Sequence, residues 1–264
     1  MTRFKQTLLA RTLGAVIGLG LLSGCGEGQV GAVSPLNREA EAPSTYLAPP
    51  SASALRPGAE GPVLSGAAAA GARVRLATPE GEVRMTQANG DGAWSIALGA
   101  SAVPRIFGLS MQTGERTVQA EGYQLVLPDG RLVLLRAGAG AVVVEGAVDE
   151  GITAFDFDEE GGAVISGVAP PDAILSVRID GRTVSTSGRA DAAGHFSLPF
   201  GAPVPPGPHQ IRVQGESLDL SAEVDATPAA PPEEGAIRAT RSPYGLRVDW
   251  LTPGGGLQST LLLD

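Results

Sequence analysis

From residue 62 onward the chain is a succession of short runs in which apolar and polar positions alternate, each run closed by Gly, Asp or Pro. Val74 and Leu76 alternate with Arg73 and Arg75, and a period of two puts the apolar pair on one face of a strand. The pattern predicts strands at 73–77, 82–86, 94–98, 106–111, 123–127 and 132–135. Pro128-Asp129-Gly130 is the turn between the last two. Residues 108–122 give no clean strand. No segment beyond residue 25 carries a helical period, so many closely spaced strands predict an all-β sandwich or barrel.

The pattern repeats. Val63-Leu64-Ser65-Gly66 followed by Ala72-Arg73-Val74-Arg75-Leu76 recurs as Val164-Ile165-Ser166-Gly167 followed by Ala173-Ile174-Leu175-Ser176-Val177. Gly81 is answered by Gly181. Asn89-Gly90-Asp91-Gly92-Ala93-Trp94-Ser95 is answered by Asp191-Ala192-Ala193-Gly194-His195-Phe196-Ser197. The offset stays between 100 and 102 residues, which marks a duplicated module. Ser-Gly reads as the end of a first strand, in a conformation that a larger residue resists. Trp94 and Phe196 read as equivalent plugs between two sheets.

This order of strands and turns, closed in the second copy by Gly207-Pro208-His209-Gln210-Ile211-Arg212-Val213, resembles the bacterial immunoglobulin-like modules of cell-surface proteins. It is also similar to the small β-sandwiches appended to carboxypeptidases. The resemblance covers roughly residues 62–225. It implies two immunoglobulin-like β-sandwich modules in tandem, at 62–145 and 146–226. Such modules serve as spacers, adhesins and carbohydrate binders, so the resemblance implies a fold more than a function. A Pro/Ala/Glu linker at 227–235 then precedes a C-terminal β-hairpin or meander at 236–264, too small to fold securely alone. Leu246, Val248 and Trp250 alternate with Arg247 and Asp249 there, so one apolar face must pack on something. The linker's composition suggests a tail that moves relative to the module.

The N-terminus has a different texture. Arg3, Lys5 and Arg11 precede an apolar core from residue 13 to 22, and Leu22-Ser23-Gly24-Cys25 ends it. As a helix this core spans only ~15 Å, about half of a bilayer crossing, which reads as a secretory signal over 1–24. The ending resembles the lipobox of bacterial lipoproteins. That resemblance implies that Cys25 is acylated and becomes the mature N-terminus, with the lipid bilayer as a partner. Gly26 follows where inner-membrane retention usually shows Asp, so the expected location is the cell envelope at the outer membrane. Residues 25–61 are rich in Pro, Ala, Ser, Gly and Glu without apolar periodicity, and are expected to form a disordered tether.

Charge narrows the partners. The chain holds 19 basic residues against 28 acidic ones; loss of the three basic residues of the signal leaves 16 against 28, a net charge of −12. Such a chain is repelled by nucleic acid and by anionic membrane surfaces. Cys25 is the lone cysteine, so no disulfide forms within the chain. Aromatic residues are 4% of the chain, and the cores must be built mainly from Val, Leu, Ile and Ala.

Catalytic chemistry finds little support. His195 and His209 are the only histidines, one on an ordinary strand and one at a Gly-Pro turn, and read as solvated. There is no G-x-S-x-G, no S-x-x-K, no zinc spacing and no phosphate loop before a helix. No cofactor is expected. One acidic cluster, Asp149, Glu150, Asp156, Asp158, Glu159 and Glu160, lies at the junction between the modules, with Asp156, Asp158, Glu159 and Glu160 as the candidate ligands. It reads either as a Ca²⁺ site that stiffens the hinge or as the solvent face of a strand, since Asp156 and Asp158 alternate with Phe155 and Phe157. The function expected from all this is a non-enzymatic, membrane-anchored lipoprotein whose modules act as a cell-envelope scaffold or protein-interaction unit. Its partner would be an envelope protein bound through a sheet edge or the C-terminal hairpin. The alternative is a surface protein that binds glycans or polymers, which requires Trp94, Tyr244 and Trp250 to point outward.

Overall fold

The structure is a computed structural model that describes residues 46–145 and 149–263, without the side chains of 145 and 185–187. All regular structure among these residues is antiparallel strand. Strands β1 (Ser51–Arg56), β2 (Val63–Ala67) and β5 (Ala93–Ala97) form one sheet in the order β1-β2-β5. Facing it are β4 (Val83–Gln87), β3 (Arg73–Ala77), β6 (Arg105–Thr113) and β7 (Arg116–Val126), in the order β4-β3-β6-β7. The second copy repeats this. Strands β10 (Gly151–Asp158), β11 (Ala163–Val168) and β14 (His195–Pro199) face β13 (Arg182–Arg189), β12 (Ile174–Ile179), β15 (Pro208–Gln214) and β16 (Asp219–Asp225). Each copy is thus a seven-stranded sandwich of immunoglobulin-like design.

The alternation read from the sequence is what fills each sandwich. Val74 and Leu76 on β3, and Leu175 and Val177 on β12, are fully buried while their polar neighbours face outward. Trp94 and Phe196 sit in the two cores at equivalent places. Gly66 pairs with Trp94, and Gly167 with Phe196. Neither glycine has a left-handed backbone. What they supply is room. A Cβ on Gly66 would lie 1.9 Å from the Ser51 carbonyl oxygen, and one on Gly167 would lie 2.1 Å from that of Gly151. The first strand of each copy passes there through a bulge, between Ala52 and Ala54 and between Ile152 and Ala154. The turn before the plug is also shared: Asn89 Oδ1 accepts the amides of Asp91 and Ala93, and Asp191 Oδ1 those of Ala193 and His195.

Two expectations change. The part of the expected tether from residue 51 is ordered, because Ser51–Arg56 is the first strand of copy one, paired along β2; the expected signal at 1–24 and the tether up to residue 45 lie outside the described residues. The stretch that gave no clean strand, 108–122, holds the end of β6 and the first seven residues of the eleven-residue β7, joined by a tight turn. In the first half of β7, Val118 and Ala120 are half-buried and alternate with the exposed Gln119 and Glu121, and Ala120 packs against the core of copy one.

Beyond the repeat, each copy extends one sheet. Strand β7 continues into β8 (Leu132–Leu135) and β9 (Val142–Glu145). On the other side β10 takes a C-terminal meander, β19 (Leu257–Leu262), β18 (Gly245–Leu251) and β17 (Ile237–Ser242), along its outer edge. The two extensions face each other and enclose a third core. Ile106, Leu125, Leu127, Val133, Leu135 and Val143 come from one side, and Ala154, Leu246, Val248, Trp250 and Leu262 from the other. Tyr123 meets Trp250 edge to face, with ring centroids 6.0 Å apart. The tail therefore buries its apolar face between the two copies.

Candidate functional site

Strand β10 is covered on both faces. Phe155 and Phe157 enter the core of copy two, while Ala154 and Asp156 face the third core. Asp156 is only 2% exposed, which corrects its reading as a solvated strand position. A run such as Thr153-Ala154-Phe155-Asp156-Phe157 carries the signal in retrospect. The apolar Ala154 shares the face of Asp156, as in strands buried on both sides.

A buried carboxylate must find donors or lose its charge. The Asp156 Oδ2 accepts the backbone N–H of Ala141 at 2.7 Å. Its Oδ1 accepts the Thr260 hydroxyl at 2.5 Å and the Gln258 amide at 3.0 Å. The chain of bonds runs on. Trp250 Nε1 donates to Thr260 Oγ1, and the N–H of Gly138 donates to Gln258 Oε1. Arg136 closes the loop by donating to the Gly140 carbonyl and to Ser197 Oγ on β14. One carboxylate thus ties together the β8–β9 loop of copy one, β10 of copy two and the C-terminal β19. Burial raises the Asp156 carboxyl above its usual value, although Thr260, Ala141, Gln258 and the charge of Arg136 all pull it down.

A second buried carboxylate holds the tail's other face. Asp249 on β18 lies in register between Arg238 on β17 and Ser259 on β19. It accepts from Arg238 Nη2 at 2.8 Å, Arg247 Nε at 2.7 Å and Ser259 Oγ at 2.7 Å. Burial works to raise its pKa, but the bonds from Ser259, Arg247 and Arg238 outweigh it, and the net shift is downward. Both arginines reach on to the linker: Arg247 donates to the Thr227 carbonyl and Arg238 to that of Ala230. Arg247 also stands 5.1 Å over the Phe157 ring. The segment expected to be a free hinge is held at two of its carbonyls.

The other sequence candidates disperse. Asp158 Oδ1 accepts the N–H of Gly162 in the turn after β10, while Glu159 and Glu160 point to solvent. Among the described residues no three His, Cys, Asp or Glu side chains gather as a metal site. His195 is half-exposed beside Asp191. His209 is not solvated: its side chain is 9% exposed, with Nδ1 2.7 Å from Asp180 Oδ2 and Nε2 2.7 Å from the Pro205 carbonyl. Both ring nitrogens face acceptors, an arrangement that favours the imidazolium. Burial lowers the pKa of His209, and the hydrogen bonds to Asp180 and Pro205 more than reverse it. Trp94 and Trp250 are buried, and Tyr244 packs half-buried against the core of copy two, so these three do not form an outward aromatic row. Cys25 lies outside the described residues. A cleft of about 420 Å³ at the loop end of copy one is lined by Leu55, Pro62, Val103, Leu127 and Pro128. Arg105 beside it donates to the carbonyls of Leu98 and Gly99, and Asp129 pairs with Arg131.

No family model matches the chain, and no curated protein matches it. Among solved structures it is similar to the central fibronectin-III array of RIM-binding protein. The identity there is 15%, with 83% of this chain and 89% of that one covered and a TM-score of 0.27. It is also similar to the BSP domain of a biofilm-associated protein, at 13% identity over 69% of this chain and 30% of that one, TM-score 0.23. A third is native E. coli alpha-2-macroglobulin, at 17% identity over 76% and 14%, TM-score 0.21. Identities and scores this low transfer no function. The strand order itself establishes the all-β sandwich architecture.

Proposed function

We propose that the chain is a non-enzymatic lipoprotein of the cell envelope, held to the outer membrane by an acylated Cys25. Its two immunoglobulin-like modules act as one stiff scaffold or protein-interaction unit. The observation that carries the scaffold reading is the third core. Tandem modules joined by a linker alone move independently by default. Here Trp250, Val248 and Leu262 of the tail are buried against Leu125, Val133 and Leu135 of copy one. The Asp156 bonds span the same seam. A stiff body on a lipidated N-terminus suits presentation at a distance from the bilayer. The inward aromatics favour this over a glycan platform.

Fractionation tests the anchoring. The Cys25→Ser protein is expected to leave the membrane fraction or to persist as uncleaved precursor. Membrane recovery of a correctly cleaved, unlipidated protein overturns it. Sucrose-gradient separation of the wild-type protein decides between outer and inner membrane.

A further inference from the structure

The two copies differ at one edge. In copy one, residues 123–126 of β7 are covered by β8, with Tyr123 opposite Leu135 and Val126 opposite Leu132. In copy two, β16 ends its sheet and, among the described residues, pairs with β15 alone. The positions correspond. Leu76 pairs with Leu109 and Val177 with Val213, and Leu76 and Val177 are equivalent in the repeat. Two residues back, Phe107 pairs with Gln124 and Ile211 with Ala222. Gln124 and Ala222 are therefore equivalent, and residues 221–224 of β16 match the stretch that β8 covers. The fold accepts an antiparallel strand at this edge in one copy, and no described strand covers the matching edge in the other.

This edge has a defined chemistry. Leu220, Ala222 and Val224 turn inward, and Asp219, Ser221 and Glu223 are exposed. Beside them a groove of about 370 Å³ is lined by Ile152, Leu220, Ala222, Tyr244 and Leu263. Two β16 strands paired about Ser221 would set Asp219 against Glu223, carboxylate against carboxylate, which disfavours a second copy of this chain as the occupant. The geometry points to β16 as the docking edge for an extended, basic segment of a partner polypeptide. Alternate apolar side chains of that segment fill the groove, and alternate Lys or Arg side chains lie across from Glu223 and Asp219. The net charge of −9 steers such a segment inward. This inference rests on the interaction-unit reading and names the surface and the chemistry of its partner.

The test uses the full chain and a short capped peptide that alternates lysine with valine and leucine. Hydrogen exchange is expected to slow at β16 amides on peptide addition. Binding measured by fluorescence anisotropy is expected to weaken about tenfold in Glu223→Lys and to be lost when glutamate replaces lysine in the peptide. An unchanged thermal midpoint for Glu223→Lys confirms that the fold is intact. Exchange unaltered at β16, equal affinity in Glu223→Lys, or self-association of the chain through β16 each overturns the assignment. A photo-crosslinker at Ser221 separates the two readings. An envelope protein captured by crosslinkers elsewhere but never at Ser221 leaves the interaction-unit reading standing and removes the β16 edge.

Discussion

Thr260 on the last strand donates a 2.5 Å hydrogen bond to Asp156, one hundred and four residues earlier on the first strand of the second module. The C-terminal tail is thereby part of the seam between the modules. Its Leu246, Val248 and Trp250 are the apolar half of that seam, and Asp156 is the polar half. Neither half has another place to go: the apolar face would be a sticky surface, and the carboxylate would be buried without donors.

Replacing Asp156 by Ala leaves the Ala141 N–H, the Thr260 hydroxyl and the Gln258 amide without their acceptor. The expected loss is about 3 kcal/mol, read from the urea midpoint. Asp156→Asn removes the titration; its NH2 also faces a donor, so the comparison that counts is the pH dependence and not the absolute stability. The folded-state pKa is raised, so the folded chain keeps its proton to higher pH than the unfolded chain does. The stability from this group is full below 3.8 and is lost as pH rises through the folded value. The stability of the wild-type protein relative to Asp156→Asn is therefore expected to fall as pH rises above 3.8, and a flat difference contradicts the assignment.

His209 carries a pH dependence of its own. Its pKa is raised above 6.5, so the stability from the imidazolium bonded to Asp180 and Pro205 is present below 6.5. It is lost as pH rises through the raised value. Thermal melts of the wild-type protein are expected to show a decline across this window that His209→Gln lacks. Parallel profiles would mean that the Asp180 pairing is not formed in solution.

Gly66→Ala and Gly167→Ala test the bulged crossing of the first strands. The added methyl meets backbone oxygen in both places, so the neighbouring strand must shift. Each change is expected to cost about 1–3 kcal/mol, the range of overpacked cores. Alanine at Gly81, where nothing lies within 4 Å but φ is +96°, serves as a control for backbone strain alone. A tolerated Gly167→Ala would mean that β10 does not cross where it is placed.

Deleting residues 236–264 tests the seam as a whole. The truncated protein is expected to lose stability in both modules, since Leu125, Val133 and Leu135 of copy one become exposed along with Ala154 and Asp156 of copy two. Trp250→Ala, expected to cost about 3–5 kcal/mol, checks the same point without removing a strand. Calorimetry that shows either variant melting like the wild-type protein refutes a shared core.

Much of each module was legible in the sequence because its stabilising contacts have a local signature. A period of two in Arg73-Val74-Arg75-Leu76 assigns a face to each side chain, and the repeat of Asn89 and Asp191 locates the turn before each plug. The all-β class follows, and so does the equivalence of Trp94 and Phe196. The seam was not legible, and the reason is physical. Which strand edge the tail would join depends on edges left open after both sandwiches form, and no local pattern encodes that. Asp156 had the alternation of a solvent-facing residue because periodicity reports which side of a strand a residue takes, not what covers that side. Only the tertiary structure brought Ala141, Gln258 and Thr260 to that carboxylate. It also placed β1 inside a segment whose Pro and Ala composition reads as tether, since β2 supplies its hydrogen bonds, and left β16 uncovered by any described strand where the matching edge of β7 is filled.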